Sequence, residues 1–484
     1  MKTLRNSTLV MLFLAAILMA GCKKNEFDYN NNPEPSQDTP IGEMYYADYE
    51  CLYTVINDDA DGYYALAKGT DTDYFLHLNS NGSVTNQSRL GFQSRRCILE
   101  TSEYLIVIGA SNEVSTPYSM NMYGWVAAFD RSLNMVSLLK VAEEEYRVDL
   151  YSIVQDPEDV TLFYAGGFVN VEINGVYQQK PYICTLEFDG SYFSKISSRV
   201  FSQYNYSRII GLLIKQQNGQ KDLIAEMLHY ETQNAPFDWN NTLHFRKLNF
   251  FNEQSGWGSD TWHIMLDGFY DMKYYSGEDY VSNNGFDSDD NNIYVFGRVY
   301  DEKDFKPVDG TRWRYGYVVA INWHDGQMQW TQKLRASDRD DDFYNGKLID
   351  GYLYICGRHS GVYYSSNNKF FGNGLLAKYS VTGTLISYKT FGKSDRYSWL
   401  IKPIKNRDGE VVCIGVSGEN IGKDGSISAG SYTGRFYGWF LKTDMSSSGS
   451  SKAMPADAKV GGYEDCDAGC TGIPMDGELR CGGM

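Results

Sequence analysis

Residues 350–358 read DGYLYICGR, and residues 374–388 read GLLAKYSVTGTLISY. The first segment is a turn followed by a run of aromatic and aliphatic residues that ends in glycine. The second is a run that begins with glycine, a tight turn at residues 382–383, and a further run. Such runs, bounded by glycine and aspartate, are typical of short β-strands.

The same order of segments recurs along the chain about every 60 residues, as expected of a repeat protein. Clear copies of the first segment lie at residues 291–298 and 408–415, and looser copies lie at 63–69, 104–109, 162–166 and 223–227. Glycine-led copies of the second segment lie at 124–130, 316–322 and 438–444. One more apolar run precedes each unit, so each unit has four strands, which we name A to D.

Units of four strands repeated in this way predict an all-β protein, a β-propeller built of four-stranded blades. We expect seven blades, with strand B near residues 64, 106, 163, 224, 294, 354 and 412. The fourth unit is the most degenerate, so six or eight blades remain alternatives. Residues 445–449 make a poor strand D for the last unit, and residues 43–48 are therefore predicted to complete the last blade.

A resemblance to known repeats agrees with this architecture. Residues 320–330, AINWHDGQMQW, resemble the quinoprotein-type, PQQ-like propeller repeat, and the units are similar to those of exported Bacteroidota propeller lipoproteins. The resemblance implies a propeller over about residues 50–445. The tryptophan pattern of true quinoproteins is absent from most units, so the resemblance transfers no cofactor residues and we predict no cofactor.

The amino terminus has the pattern of an export signal. Lys2 and Arg5 precede an apolar run at residues 9–20, which is too short for a membrane span, since a span needs about 20 apolar residues. The segment LMAGC at residues 18–22 resembles the bacterial lipobox, which implies cleavage before Cys22 and acylation of its thiol. The alternative is an ordinary signal peptide followed by a chance cysteine.

These features predict the domain organisation. Residues 1–21 are a lipoprotein signal peptide, 22–42 a flexible polar tether, 43–445 the propeller, and 446–484 a disordered tail. The tail contains Cys466, Cys470 and Cys481, and a local disulfide or a metal-binding tail is the alternative. The segment KKNEFD at 23–28 resembles the export signals of Bacteroidota surface lipoproteins, so we expect a lipid-anchored protein of the outer membrane, at the cell surface or on the periplasmic side.

Composition limits the partners. The chain has a net charge of −17, which argues against nucleic acid as a ligand because nucleic-acid binders need basic patches. Five cysteines stand singly on apolar runs and are predicted to be core residues: Cys51, Cys97, Cys184, Cys356 and Cys413.

The connections between strands B and C are long, whereas the A–B and C–D turns are short. Long stretches lie at 111–123, 169–180, 230–241, 300–315, 359–373 and 418–437. In an antiparallel blade the B–C and D–A connections leave from one end, so one face is expected to be elaborated and to bind the ligand. Candidate ligand-binding residues are Tyr123, Trp239, Trp257, Arg312, Trp313, Tyr363, Arg435 and Tyr437. Flat aromatic rings suit a glycan or a protein partner, and the alternative is that they only pack the loops.

Catalytic and metal-binding motifs are not found in the sequence. The six histidines show no metal-ligand spacing and are each predicted to lie at the surface or in loops. Acidic stretches at 57–62 and 287–292 begin like calcium loops, but Lys68 stands where the first would need a bidentate glutamate, which favours plain turns. The acidic cluster at 338–342 is predicted to be a solvated charge run, with a weak calcium site as the alternative.

Two functions of different classes remain. The first is a binding or scaffolding module whose elaborated face engages a glycan or another envelope protein. The second is a propeller-type glycoside hydrolase or lyase. Clustered carboxylates beside arginines at the mouth of the central channel would favour the enzyme, and an aromatic face poor in acids would favour the binder. Redox chemistry with a quinone cofactor ranks third because no ligands for it can be named.

Overall fold

A computed structural model gives the fold. It describes residues 40–69, 72–116, 119–142, 147–173, 176–202, 204, 207–217, 219–230, 241–249, 260–266, 285–305, 312–335, 341–364, 369–392, 396–419, 436–445 and 459–461. All regular structure within these residues is β-strand. Cys22, the tether residues 22–39 and the cysteines of the tail lie outside the described residues.

The strands form seven four-stranded antiparallel blades in chain order. The first strand, β1 (Gly42–Tyr46), belongs to the last blade. Blade 1 comprises β2 (Cys51–Asn57), β3 (Tyr63–Lys68), β4 (Asp73–Leu78) and β5 (Val84–Arg89). Blade 2 comprises β6 (Gln93–Glu100), β7 (Leu105–Thr116), β8 (Ser119–Phe129) and β9 (Met135–Val141). Blade 3 comprises β10 (Arg147–Gln155), β11 (Leu162–Ile173), β12 (Val176–Phe188) and β13 (Phe193–Val200).

Blades 4 to 7 follow the same plan. Blade 4 comprises β14 (Ser207–Gln217), β15 (Gln220–Tyr230), β16 (Asn241–Asn249) and β17 (Asp260–Leu266). Blade 5 comprises β18 (Gly285–Ser288), β19 (Asn292–Phe305), β20 (Arg312–Asn322) and β21 (Met328–Arg335). Blade 6 comprises β22 (Asp341–Ile349), β23 (Tyr352–Tyr364), β24 (Lys369–Ser380) and β25 (Leu385–Phe391). Blade 7 comprises β26 (Arg396–Lys405), β27 (Val411–Glu419), β28 (Phe436–Thr443) and β1.

The seven-bladed propeller predicted from the repeats is confirmed, and each predicted strand B lies in the second strand of its blade. The predicted closure of the ring is confirmed as well. Strand β1 pairs with β28 from Gly42↔Lys442 to Tyr46↔Gly438. The Trp439 indole N–H donates to Glu43 Oε1 at 2.8 Å, and the Tyr46 hydroxyl donates to the carbonyl of Gly82 in blade 1. The amino-terminal strand therefore joins the last blade to the first.

A β-bulge recurs between the first two strands of the blades. In blades 1, 3, 4, 6 and 7 a single extra residue interrupts the register; these residues are Tyr53, Tyr151, Ile210, Tyr344 and Ile401. A Cβ atom on Gly357, in the second strand of blade 6, would lie only 1.9 Å from the carbonyl oxygen of Asp342. Gly167 and Gly415 stand in the same position in blades 3 and 7. The bulge thus explains why the strand-B run so often ends in glycine.

The glycine that opens the strand-C run serves the contact between blades. A Cβ on Gly374 of blade 6 would lie 2.7 Å from Leu400 Cγ of blade 7. Equivalent pairs are Gly124–Leu150, Gly316–Phe343 and Gly438–Leu52. In each pair a large side chain of the next blade, placed just before its bulge, fills the space that the glycine leaves.

The core therefore lies between neighbouring blades. One apolar cluster joins blades 5 and 6 through Phe296, Phe343, Leu353 and Tyr379, and another joins blades 7 and 1 through Phe440, Leu52 and Tyr63. Cys51, Cys184, Cys356 and Cys413 are fully buried, as predicted, whereas Cys97 is partly exposed. Within the predicted tail, β29 (Lys459–Gly461) pairs with the outer edge of β21.

Candidate functional site: the ribbon face and the inner rim

One face of the propeller is built from extended strands. In blades 2, 3, 5 and 6 the second and third strands continue their ladder beyond the blade, as shown by the pairs Thr116↔Ser119, Ile173↔Val176, Phe305↔Arg312 and Tyr364↔Lys369. We call these four two-stranded extensions the ribbons, and the side that carries them the ribbon face. The predicted long loops at 111–123, 169–180, 300–315 and 359–373 are therefore largely paired strands.

A set of polar side chains lies where the first strand of a blade begins and the second strand ends, at the base of this face. We call this set the inner rim; it spans blades 4 to 7. Its members are Ser207, Arg208, His229, Arg298, Asp341, Asp342, Arg358, His359, Ser398 and Ser417. Since the first strand is the innermost strand of a propeller blade, the rim lies along the blade 4 to blade 7 side of the mouth of the central channel.

Three blades carry a polar cross-strand pair at the same rim position. Ser207 Oγ lies 2.7 Å from His229 Nδ1 in blade 4, and Asp341 Oδ1 lies 2.6 Å from His359 Nδ1 in blade 6. In blade 7 the hydroxyls of Ser398 and Ser417 lie 2.9 Å apart. The register shows that these pairs are equivalent, because each stands two residues before the residue that packs on the neighbouring blade.

An ion-pair cluster connects blades 5 and 6 within the rim. Asp342 pairs with Arg358 on the adjacent strand, and its Oδ1 atom lies 3.8 Å from Nη1 of Arg298 in blade 5. Asp342 is fully buried and both arginines are at most 4 % exposed. Charges so deeply buried are tolerated only when opposite charges and hydrogen bonds surround them.

Other rim groups make contacts of their own. Arg208 Nη1 lies 3.3 Å from the Tyr151 hydroxyl of blade 3, with the guanidinium over the tyrosine ring. Burial, assisted by the negative charge of Asp341, raises the pKa of Tyr379, so this phenol stays protonated at any physiological pH. The rim thus combines arginine donors, carboxylate acceptors and hydroxyls, and all of its members except His229 are buried.

Two predictions about this region were wrong. The acidic cluster at 338–342 is not a solvated run at its carboxyl end, because Asp341 and Asp342 belong to β22 and are fully buried, Asp341 next to His359 and Asp342 next to Arg358. His359 is not a surface residue; it lies in β23 and is 3 % exposed. In both cases contacts between strands distant in sequence decide burial.

The predicted ligand-binding residues are spread over the ribbon face. Tyr123 of β8 is partly exposed, and the Lys140 ammonium lies 3.2 Å from its ring centroid. Tyr437 of β28 is also partly exposed and is paired with Ser417 of the rim. Arg312 and Trp313 begin β20, and Tyr363 is the next-to-last residue of β23, so their backbone lies in two ribbons.

The remaining candidates, Trp239, Trp257 and Arg435, lie outside the described residues. The rim arginines were not predicted as site residues. A signal for two of them existed, because Gly297-Arg298 and Gly357-Arg358 occur at the same place in two repeats.

The acidic turns have the structure expected of turns. Residues 58–62 join β2 to β3, and Asp58 Oδ2 lies 2.8 Å from His77 Nε2. Asp289 accepts the backbone N–H groups of Asn291 and Asn292. Among the residues that the structure describes, no group of three or more His, Cys, Asp or Glu side chains is arranged to hold a metal ion. In the same part of the chain no helix has the length and apolar character needed to cross a bilayer.

Comparison with known proteins finds similarity of fold only. No protein-family model matches the chain, and no curated protein matches it. Among solved structures, the chain is similar to the β-propeller domain of the Trilobed protease from Pyrococcus furiosus, with 10 % identity, 80 % of this chain and 97 % of that chain covered, and a TM-score of 0.40. It is also similar to a Trypanosoma rangeli sialidase in complex with sialic acid, with 10 % identity, 84 % of this chain and 60 % of that chain covered, and a TM-score of 0.41. A third similar structure is Drosophila Semaphorin 2a, with 10 % identity, 85 % of this chain and 77 % of that chain covered, and a TM-score of 0.41. These similarities are weak, and the strand pairing described above is what defines the class: a seven-bladed β-propeller closed by its amino-terminal strand.

Proposed function

We propose that the protein is a binding module, anchored in the outer membrane through lipid on Cys22, that captures a glycan on its ribbon face. The observation that carries this proposal is the coincidence of two features on one face. Four blades extend ribbons there, and Tyr123 and Tyr437 have partly exposed rings on the same face, next to a largely buried inner rim of arginine, histidine, serine and aspartate groups.

A glycan fits this chemistry better than an apolar ligand does. Sugar hydroxyls both donate and accept hydrogen bonds, and His229 is the rim residue with a partly exposed polar side chain, held by Ser207 at 2.7 Å. Partly exposed tyrosines such as Tyr123 and Tyr437 can cover the apolar faces of sugar rings at small entropic cost. An envelope protein is the alternative ligand of the same face.

A glycan array with the purified full-length protein tests the proposal, run beside an activity screen on the same polysaccharides. Binding without product supports it. Binding only to an envelope protein, or no glycan binding at all, contradicts it. Incorporation of an alkyne-labelled fatty acid tests the anchor, and Cys22→Ser is expected to abolish labelling while leaving the propeller folded.

A glycoside hydrolase or lyase is the second candidate, because the rim places Asp342 beside Arg298 and Arg358 and places Asp341 beside His359. Carboxylates beside arginines are the pattern that favours an enzyme. However, Asp342 is fully buried and is contacted by two arginines, so a substrate cannot reach its carboxylate. Turnover of a polysaccharide in the screen, abolished by Asp341→Asn, would establish this candidate.

A further inference from the structure

Lys402 lies in the central channel, directly after a β-bulge in the first strand of blade 7. Ile401 is the extra residue in the first strand of blade 7, and Lys402 resumes the pairing with Ile414. Its ammonium donates to Thr54 Oγ1 at 2.9 Å, and Thr54 belongs to the first strand of blade 1. The hydrogen bond thus crosses from the innermost strand of one blade to that of the next.

The charged neighbours of Lys402 also come from innermost strands. Lys347 of blade 6 and Asp287 of blade 5 form an ion pair at 3.2 Å, and the Cys97 thiol of blade 2 adds a further titratable group. Only the central channel is common to the first strands of these five blades. Among the described residues, no carboxylate lies within 4.0 Å of the Lys402 ammonium; its nearest polar partner is a hydroxyl.

This environment disfavours a positive charge. Burial, with the nearby Lys347 as a second cause, lowers the pKa of Lys402 to about 8, although Cys97 and Asp287 act in the opposite direction. Burial raises the pKa of Cys97, so the neighbouring sulfur stays a neutral thiol near neutral pH. At pH 8 about half of the Lys402 amine is therefore unprotonated, compared with well under 1 % for an ordinary lysine.

The Lys402 side chain is also accessible to solvent. It is enclosed by protein, yet part of its surface is exposed to solvent, whereas Thr54 is 1 % exposed. A lysine that is desolvated and lies next to another cation is an activated nucleophile. Structural lysines of this protein contrast with it; Lys221, for example, is paired with Asp156 and Glu158.

We propose that Lys402 is a nucleophilic amine site in the central channel that forms an imine with small aldehydes or ketones. The nitrogen lone pair attacks the carbonyl carbon, and the carbinolamine loses one molecule of water to leave the carbon–nitrogen double bond. The reaction needs no oxidant or reductant. The hydroxyl of Thr54 lies close enough to Nζ to exchange a proton with it during these steps.

Reductive trapping tests this site. The full-length protein is treated with glycolaldehyde and cyanoborohydride between pH 6 and 10, and the modified lysines are quantified by peptide mass mapping. Lys402 is expected to be labelled at least tenfold faster than Lys405 at pH 7.5, with a rate that reaches half its maximum near pH 8. Lys405, three residues further along the same strand, pairs with Asp350 and is the internal control.

Two variants make the test specific. Lys402→Arg is expected to remove the fast-labelled site without new labelling at Lys347, which Asp287 holds in an ion pair. Thr54→Val removes the hydroxyl that accepts a hydrogen bond from the Lys402 ammonium. Because the charged form loses this partner, the pH at which labelling reaches half its maximal rate is expected to fall. Two results would overturn the proposal, provided that the circular dichroism of the protein is native. One is labelling of Lys402 no faster than that of Lys405, and the other is a labelling rate of Lys402 that rises only near pH 10.

Discussion

Arg298 of blade 5 and Asp342 of blade 6 face each other across a blade boundary, with Nη1 and Oδ1 3.8 Å apart, while Arg358 pairs with the same carboxylate from the adjacent strand. One buried negative charge therefore stands between two buried positive charges. The cluster lies at the base of the ribbon face, so it links the stability of the ring to the geometry of the proposed binding site.

Removal of that negative charge should be costly. Asp342→Asn is expected to lower the free energy of unfolding by about 3–5 kcal/mol, because two buried arginines lose the charge between them. Asp61→Asn is the control, since Asp61 and Arg407 form an exposed pair and such pairs contribute at most about 1 kcal/mol. Guanidinium unfolding curves measure both, and equal losses would contradict this account.

The glycine opposite the bulge should not tolerate a side chain. Gly357→Ala would place a Cβ 1.9 Å from the Asp342 carbonyl oxygen, and the backbone must move to relieve the clash. We expect a loss of about 3 kcal/mol in thermal or denaturant unfolding. Gly42→Ala is the matched substitution, because the nearest atom to its Cβ lies 3.9 Å away, and it should leave stability nearly unchanged.

Stability should depend on pH through Asp156, which Lys221 contacts from blade 4 at 2.9 Å. Burial alone would raise the pKa of Asp156, but the backbone N–H of Glu158 and the Lys221 ammonium outweigh it, and the pKa is lowered. The contribution of Asp156 is therefore present at neutral pH and is lost as the pH falls below about 4, through the folded-state pKa.

Asp156→Asn should accordingly destabilise the protein by about 1–3 kcal/mol at pH 7, with the difference from the natural protein shrinking in acid. Glu158→Gln, at the half-exposed partner of the same lysine, should change stability by less than about 1 kcal/mol. Urea unfolding at several pH values measures both. A difference for Asp156→Asn that stays constant down to pH 3 would rule out this linkage.

The closing strand should be required for a monomeric propeller. Replacement of residues 42–46 by a glycine–serine run of equal length removes the side chains of β1 and weakens its pairing with β28, which leaves an open sheet edge on blade 7. We expect a lower unfolding midpoint and self-association, detected by light scattering coupled to gel filtration. The same replacement at residues 30–34, in the predicted tether, should have neither effect.

Tyrosines of the ribbon face should matter for binding, and tyrosines elsewhere should not. Tyr123→Ala and Tyr437→Ala are each expected to weaken binding of the glycan identified on the array about tenfold, which corresponds to about 1.4 kcal/mol. Tyr192→Ala is the control, since Tyr192 is 62 % exposed but follows a C–D turn at the other end of blade 3. Calorimetric titration measures the glycan affinity of the three variants. Equal losses of affinity in all three would show that the ribbon face is not the binding site.

The sequence was sufficient for the fold because every blade repeats the same local chemistry. The glycines of strands B and C, the short turns and the apolar runs give the blade number and strand order, and the poor final strand D gave the role of residues 43–48. The inner rim was not predicted, because burial of Asp341, Asp342 and His359 depends on strands that meet only in the folded ring. The ribbons were predicted as loops because residues such as those at 111–123 pair across the face without a clear alternation of apolar and polar side chains.

The pairing of β1 with β28 has a consequence for the way in which the protein is made. Strand β1 is synthesised almost 400 residues before its partner β28, as the register Gly42↔Lys442 shows. Until then β1 has no strand to pair with. Such a distant contact forms late and slowly. During synthesis the edge of β1 therefore stays unpaired, so a chaperone that shields edge strands would protect this protein until its last blade has been made.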